Sequence, residues 1–189
     1  KKMSHTSSAR RTFHLKYRTF LGWGILVAVG AGLGGAWFWM GWGKEFQLTL
    51  ILAFSMAGCR WAIQKFGPIL LKEVSIALFY LVGTIWLPLL RVKAVDLSWE
   101  VLIFAVLFFV VALLNLWMLS FLDRDEDRQD GFVSLAHVYS PQQLIQWIRR
   151  LSFVGIFVSL AAFILLPSFY RPFSCILLLM FLAHYLTFF

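Results

Sequence analysis

Long apolar segments recur along the chain, and short stretches that carry most of its charge separate them. One of them covers 101–122, which is 22 residues without a charged side chain. A helix needs about 20 apolar residues to cross a bilayer, and no strand-like alternation recurs here. The pattern predicts an all-α, multi-pass transmembrane helical bundle with about six spans, at 20–42, 46–61, 74–90, 101–122, 151–166 and 173–189.

The composition supports a membrane location. The chain has 189 residues, is 61% hydrophobic and contains 20 Phe and 9 Trp. A soluble domain of this size would bury such a content only if it were nearly all core. The net charge of +8 does not indicate a nucleic-acid partner, because basic residues of membrane proteins mostly set topology and face lipid headgroups. We expect the lipid bilayer as the main partner.

The basic residues also predict which loops face the cytoplasm. Residues 1–19 form a basic segment with six Lys and Arg. If this segment is cytoplasmic, 13 of the 17 Lys and Arg fall on that side of six alternating spans. Positive residues are enriched in cytoplasmic loops. The sequence therefore predicts an integral, multi-pass protein whose acidic loop, 123–150, lies in the cytoplasm.

The stretch 122-LDRDEDRQDG-131 holds five of the nine acidic residues, at the end of the uncharged run 101–122. At about 100° per residue, a helix would place Ser120, Asp123, Asp127 and Asp130 on one face, with Asp125 roughly opposite. Carboxylates on one face repel one another, and a divalent cation relieves that repulsion. Mg²⁺ prefers one or two carboxylates together with phosphate oxygens and water.

Two interpretations of the acidic stretch follow from its spacing alone. It is a solvated charge cluster at a helix end, or it holds a Mg²⁺ ion that bridges to a diphosphate. A calcium-binding EF-hand loop is excluded, since that loop needs Gly in its sixth position and Glu in its twelfth. Here those positions hold Arg128 and Ser134.

The text 120-SFLDRDEDRQDGFVSL-135 resembles the second Asp-rich motif, D-x-x-D-x-x-x-D, of the UbiA family of intramembrane aromatic prenyltransferases. Asp123 and Asp127 take the second and third Asp positions. Arg128 and Gly131 fall where the family motif continues. The resemblance extends over 20–189, but it is specific only over 115–135.

The resemblance implies a fold, a reaction and a set of site residues. The six spans would be the third to eighth helices of a nine-helix fold. The protein would transfer an isoprenyl group from its diphosphate to an aromatic or related acceptor, with Mg²⁺ as cofactor. Asp123 and Asp127 would hold the metal. Lys65, Arg128 and Asn115 would contact the substrate.

The sequence departs from the family pattern in two places. The first Asp of the motif is Ser120, and a hydroxyl is a much weaker Mg²⁺ ligand than a carboxylate. A register one turn on, Asp123-x-x-Glu126-x-x-x-Asp130, keeps three acids but loses the Arg and Gly matches. The family's first Asp-rich motif is not found in this chain. Since the chain starts at Lys1 and ends within an apolar run, we expect a longer protein. The first motif then either precedes Lys1 or does not exist.

These departures leave a second function open. Ser120 favours a non-catalytic, UbiA-related structural subunit of a membrane protein complex, whereas Asp123, Asp127 and Arg128 favour the enzyme. A transporter would be expected to show a broken-helix pair or a buried charge pair, and neither is evident. Three further polar residues of the spans receive non-catalytic interpretations. Asn115 is expected to bond another helix, Glu73 to pair with Lys72 at the headgroup level, and His184 to bond within the bundle.

Overall fold

The computed structural model describes Phe13 and residues 16–92, 98–125 and 135–188. Every regular element in these residues is a helix. Six are long, and one is a single short turn that two residues join to the next helix. A 3₁₀ turn, Ser168–Tyr170, leads into the last helix. The helices are α1 (Arg18–Met40), α2 (Lys44–Phe66), α3 (Ile69–Arg91), α4 (Trp99–Leu122), α5 (Leu135–Val138), α6 (Pro141–Leu165) and α7 (Arg171–Thr187).

The six long helices are long and apolar enough to cross a membrane. This confirms the predicted all-α, multi-pass character of the chain. The helices extend beyond the apolar runs, because polar residues at a span's ends still form helical turns at the interface. One case is α3, which begins at Ile69 where the apolar run suggested 74.

The sixth helix starts at the Ser140-Pro141 signal. The Ser140 hydroxyl accepts a hydrogen bond from the Gln143 N–H at 3.2 Å, and the Gln143 side-chain oxygen accepts one from the Ser140 N–H at 3.1 Å. This reciprocal capping box satisfies two backbone donors that a helix start otherwise leaves unpaired. Pro141 fits the first helical position because it lacks an N–H. The polar stretch 142–150 and the apolar run after it form one continuous helix.

The chain divides into two compact units. The described part of the first contains α1 and the portion of α2 up to Cys59. No residue of α1 is buried, and α2 buries only Phe46, whose ring lies 5.4 Å from that of Trp42. Phe20 and Phe38 are 75% and 84% exposed. Such surfaces suit lipid or a partner helix rather than water.

The second unit, residues 60–124 and 133–189, holds the main core. Helix α4 lies at its centre and packs against α3, α5, α6 and α7. Its buried side chains meet those of the surrounding helices in one apolar cluster. The fully buried members include Leu114, Leu135, Leu144, Ile148 and Phe181.

Small residues line the interface between α6 and α7. The buried positions in the apolar part of α6 are Ser152, Gly155, Ser159 and Ala162, which recur at three- and four-residue spacing. A Cβ added at Gly155 would collide with the Phe181 ring. Small interface residues that let helices approach closely, with large apolar residues facing outward, are typical of helix packing in membranes.

Candidate functional site

A buried acidic contact lies where α3 begins, α4 ends and α5 starts. The half-buried Glu73 carboxylate of α3 faces the Ser120 side chain of α4 and the backbone of Leu135 in α5. Among the described residues, Glu73 Oε2 and Ser120 Oγ are buried, and neither atom makes a hydrogen bond of regular geometry. The two groups therefore lie side by side with hydrogen-bonding capacity left over.

The orientation of Glu73 corrects the sequence-based interpretation of this residue as the charge partner of Lys72. Consecutive helical side chains point about 100° apart and do not face each other. Because α3 begins at Ile69, Glu73 lies inside the first turns of the helix. Its carboxylate turns toward Ser120, the position at which the Asp-rich motif lacks its first acid.

A fixed cation lies at the same end of α3. Arg60 Nη1 donates hydrogen bonds to the Lys72 carbonyl oxygen at 3.0 Å and to Ser75 Oγ at 3.2 Å. The Ser75 hydroxyl in turn donates to the same Lys72 oxygen at 2.8 Å. Ser75 is only 3% exposed. The guanidinium is thus held against the turn of α3 that carries Glu73.

Asp123 marks the end of α4. It is half-buried, and its backbone N–H donates to the Leu119 carbonyl oxygen at 2.9 Å. Asp123 follows Ser120 by three residues, which places both on neighbouring parts of one helix face. Asp127 and Arg128 lie outside the described residues. Within the described ranges, no group of three or more His, Cys, Asp or Glu side chains is close enough to hold a metal ion.

Asn115 forms a polar contact between two helices. Its Oδ1 lies 2.8 Å from His184 Nε2 of α7, and His184 Nδ1 lies 2.6 Å from the Met180 carbonyl oxygen. This confirms the expectation that Asn115 bonds another helix. A neutral imidazole satisfies both contacts when Nδ1–H donates to Met180 and the Asn115 amide is turned to donate its NH₂ to Nε2. The predicted substrate contact of Asn115 stays a prediction.

Lys65 lies near the end of α2 and is exposed. Its Nζ lies 5.2 Å from the ring centroids of both Trp61 and Phe66. Aromatic faces attract ammonium groups at this distance. The two rings hold the charge of Lys65 at the α2–α3 connection, and its predicted contact with a diphosphate stays a prediction.

An apolar cavity of about 500 Å³ opens between α3, α4 and α7. Three phenylalanines, Phe104, Phe108 and Phe173, line it together with the segment of α3 from Leu81 to Pro88. Pro88 has no N–H to donate to the carbonyl of Thr84, which also lines the cavity. At 1.5 Å per residue, this part of α3 lies roughly 12–22 Å along the helix from Glu73. An acidic contact and an apolar chamber therefore occupy the two ends of the same helix pair.

Comparison with protein-family models, curated proteins and solved structures finds no match to the chain. The helices and their outward-facing apolar surfaces define a multi-pass helical membrane protein. Sequence reasoning missed Glu73 and Arg60 as parts of the site. The sequence did contain one signal for Glu73, which is the only acid between Glu45 and Asp96. An ionisable residue inside a span is a functional candidate by default.

Proposed function

We propose that this protein is a UbiA-like membrane prenyltransferase, which transfers an isoprenyl group from its diphosphate to an aromatic or related acceptor. The observation that carries the proposal is the contact between Glu73 and Ser120. The Asp-rich motif lacks its first carboxylate at Ser120, and a carboxylate from α3 lies beside that position. The acid missing from one helix is supplied by its neighbour.

The residues of this end of the bundle fit a Mg²⁺–diphosphate group. Glu73 Oε2 is a buried oxygen without a partner among the described residues. Asp123 and, by prediction, Asp127 add carboxylates on the neighbouring face of α4. Hard divalent cations take such oxygens together with phosphate oxygens. The ion, when bound, would neutralise charge that develops on the leaving diphosphate.

The other residues have roles in binding and positioning. Lys65, Arg128 and the guanidinium of Arg60 provide positive charge for diphosphate oxygens, and the bonds to Lys72 and Ser75 fix Arg60 in place. The apolar cavity between α3, α4 and α7 accommodates the isoprenyl chain. Aromatic rings there exclude water from that chain.

The test is Mg²⁺-dependent binding of an isoprenyl thiodiphosphate to the full-length protein in nanodiscs. Glu73→Gln keeps the size of the side chain and removes its charge. Loss of a metal ligand or of its close support costs roughly 10- to 100-fold in metal affinity. We expect a loss of this size for Glu73→Gln and no loss for Glu45→Gln, an exposed acid at the start of α2.

A non-catalytic structural subunit of a membrane complex is the second candidate. Two observations favour it. Ser120 interrupts the motif, and α1 buries none of its residues within the chain. The same assay separates the candidates. If neither the native protein nor Ser120→Asp binds the thiodiphosphate in a Mg²⁺-dependent way, the enzyme proposal is wrong and the structural subunit remains.

A further inference from the structure

The Asn115–His184 contact lies beyond one end of the apolar cavity between α3, α4 and α7. On α4, Asn115 follows the cavity residue Phe108 by seven positions, and on α7, His184 follows the cavity residue Met180 by four. Both spacings return a helical side chain to nearly the same face. At about 1.5 Å per residue, Asn115 lies roughly 10 Å along α4 from Phe108 and about 8 Å from Ser120. The contact therefore lies between the cavity and the acidic contact, on the helix faces that line the cavity.

The two members of this contact differ in exposure. The His184 side chain is buried, with 7% of its surface exposed, whereas Asn115 is exposed although it lies within a span. A polar group within a span is costly unless it is paired or functional. Thr84, in the cavity wall, donates its hydroxyl hydrogen to the Tyr80 carbonyl oxygen at 2.8 Å, so that hydrogen is used within α3. The Asn115 amide is a polar group that the cavity end offers to a ligand.

The imidazole of His184 determines which atom of the Asn115 amide faces outward. Nδ1 lies 2.6 Å from the Met180 carbonyl oxygen, and this oxygen can only accept a hydrogen bond, so Nδ1 carries the proton. A second proton on Nε2 would place a charge within the span, which is costly. Nε2 is therefore an acceptor. The Asn115 amide, 2.8 Å away, donates its NH₂ to Nε2 and turns its carbonyl oxygen away from His184.

We propose that this carbonyl oxygen of Asn115 accepts a hydrogen bond from a hydroxyl group of the acceptor molecule, and that His184 is the positioning residue that holds the amide in this orientation. The identification of the ligand as the acceptor rests on the proposed function. Asn115 lies between the cavity for the isoprenyl chain and the acidic contact for the diphosphate, where the two reactants have to meet. A site built to bond a hydroxyl group rejects an analogue that lacks its hydrogen. The site therefore selects a phenol over an aryl ether or a quinone.

Binding of para-hexylphenol and of its methyl ether to the full-length protein in nanodiscs tests the proposal. Affinities are measured by equilibrium dialysis against empty nanodiscs, and nitrogen NMR of the His184 ring identifies its tautomer. We expect the proton on Nδ1 and a preference for the phenol of roughly 2- to 10-fold, which is the contribution of one hydrogen bond. A proton on Nε2 alone would turn the amide nitrogen outward and overturn the proposal. Equal affinities, or no binding of either probe above that of empty nanodiscs, would contradict it as well.

Variants separate positioning from a structural role. Asn115→Leu should bind the two probes equally, because no amide is left. His184→Leu should also bring the preference close to unity, since the amide is then free to turn its NH₂ toward the ether oxygen. Equal losses of both affinities in His184→Leu, with the preference kept, would show that His184 is structural only. The control is Ser98→Ala, which removes a hydrogen bond to Tyr170 at the other end of α4 and should keep the preference.

The outcome is distinguishable from that of the proposed function, because these probes bind without Mg²⁺ or diphosphate. A preference for the phenol without Mg²⁺-dependent binding of the thiodiphosphate would keep the hydroxyl contact and reject the transferase. Mg²⁺-dependent binding of the thiodiphosphate without a preference for the phenol would reject the hydroxyl contact alone.

Discussion

Two polar contacts between helices distinguish this core from a purely apolar one. The Glu73–Ser120 contact joins α3 to α4, and the Asn115–His184 bond joins α4 to α7. Polar groups within a membrane span are costly unless they are paired or functional. Each contact therefore leads to a prediction about stability, which substitutions of its two residues can test.

At Ser120, a second carboxylate beside Glu73 should make stability depend on a metal. Ser120→Asp places two acids side by side, and their repulsion should lower the Tm when EDTA is present. Mg²⁺ should restore the loss, because the ion neutralises both carboxylates. The measurement is thermal unfolding in detergent with EDTA and with Mg²⁺. Ser120→Asn is the control, because Asn has the shape of Asp and carries no charge. Equal Mg²⁺ responses of the Asp and Asn variants would contradict the prediction.

The bond between Asn115 and His184 should be measurable as a coupling energy. Hydrogen bonds between membrane helices contribute about 0.6 kcal/mol on average and up to about 1.7 kcal/mol. We expect a coupling in this range from Asn115→Leu, His184→Leu and the double variant, measured by unfolding in mixed micelles. Strictly additive single effects would show that the two side chains do not interact in the membrane.

At the scale of helices, the close approach of α6 and α7 depends on a residue without a side chain. Gly155 packs against the Phe181 ring, whereas Gly83 in α3 has no neighbouring atom within 4 Å of an added Cβ. Gly155→Ala should destabilise the protein by about 1–3 kcal/mol, as overpacking does. Gly83→Ala should be neutral or slightly stabilising, since Ala favours helix over Gly.

Unfolding free energies of the two glycine variants in mixed micelles check this prediction. A third variant identifies the cause of the loss. Adding Phe181→Leu to Gly155→Ala should recover part of the stability, because the smaller side chain makes room for the methyl group. If Gly155→Ala matches Gly83→Ala, the two helices do not pack as closely as the structure shows.

At the scale of the whole molecule, the basic residues predict the orientation in the membrane. Gln129→Cys should react with an impermeant thiol reagent only from the cytoplasmic side of sealed vesicles, and Ala94→Cys only from the other side. Cys59 and Cys175 are exposed and must first be replaced by Ala. Reaction of position 129 from the outside alone would reverse the predicted orientation.

The sequence by itself determined the class of the protein and most of its helices. Hydropathy and length are local properties, so the six long helices follow from the apolar runs. Helix α4 ends at Leu122, directly before Asp123, the first residue of the acidic stretch. The Ser140-Pro141 signal likewise marked the start of α6, because capping depends on four consecutive residues. The sequence also singled out Asn115 and His184 as polar residues within spans.

Only the tertiary structure decided which of these residues meet. Asn115 and His184 are 69 positions apart, and a hydropathy pattern does not state which helices are neighbours or how each is rotated. The sequence pairs Glu73 with its neighbour Lys72, but the carboxylate lies beside Ser120 on another helix, because of the way α3 is rotated about its axis. The cavity that Arg149 and Arg150 of α6 share with Tyr185 of α7 needed the same information, because it exists only where the two helices pack side by side. The spans follow from the hydropathy of each segment, which the sequence contains. The candidate sites depend on how the helices pack against one another, which the hydropathy pattern does not contain.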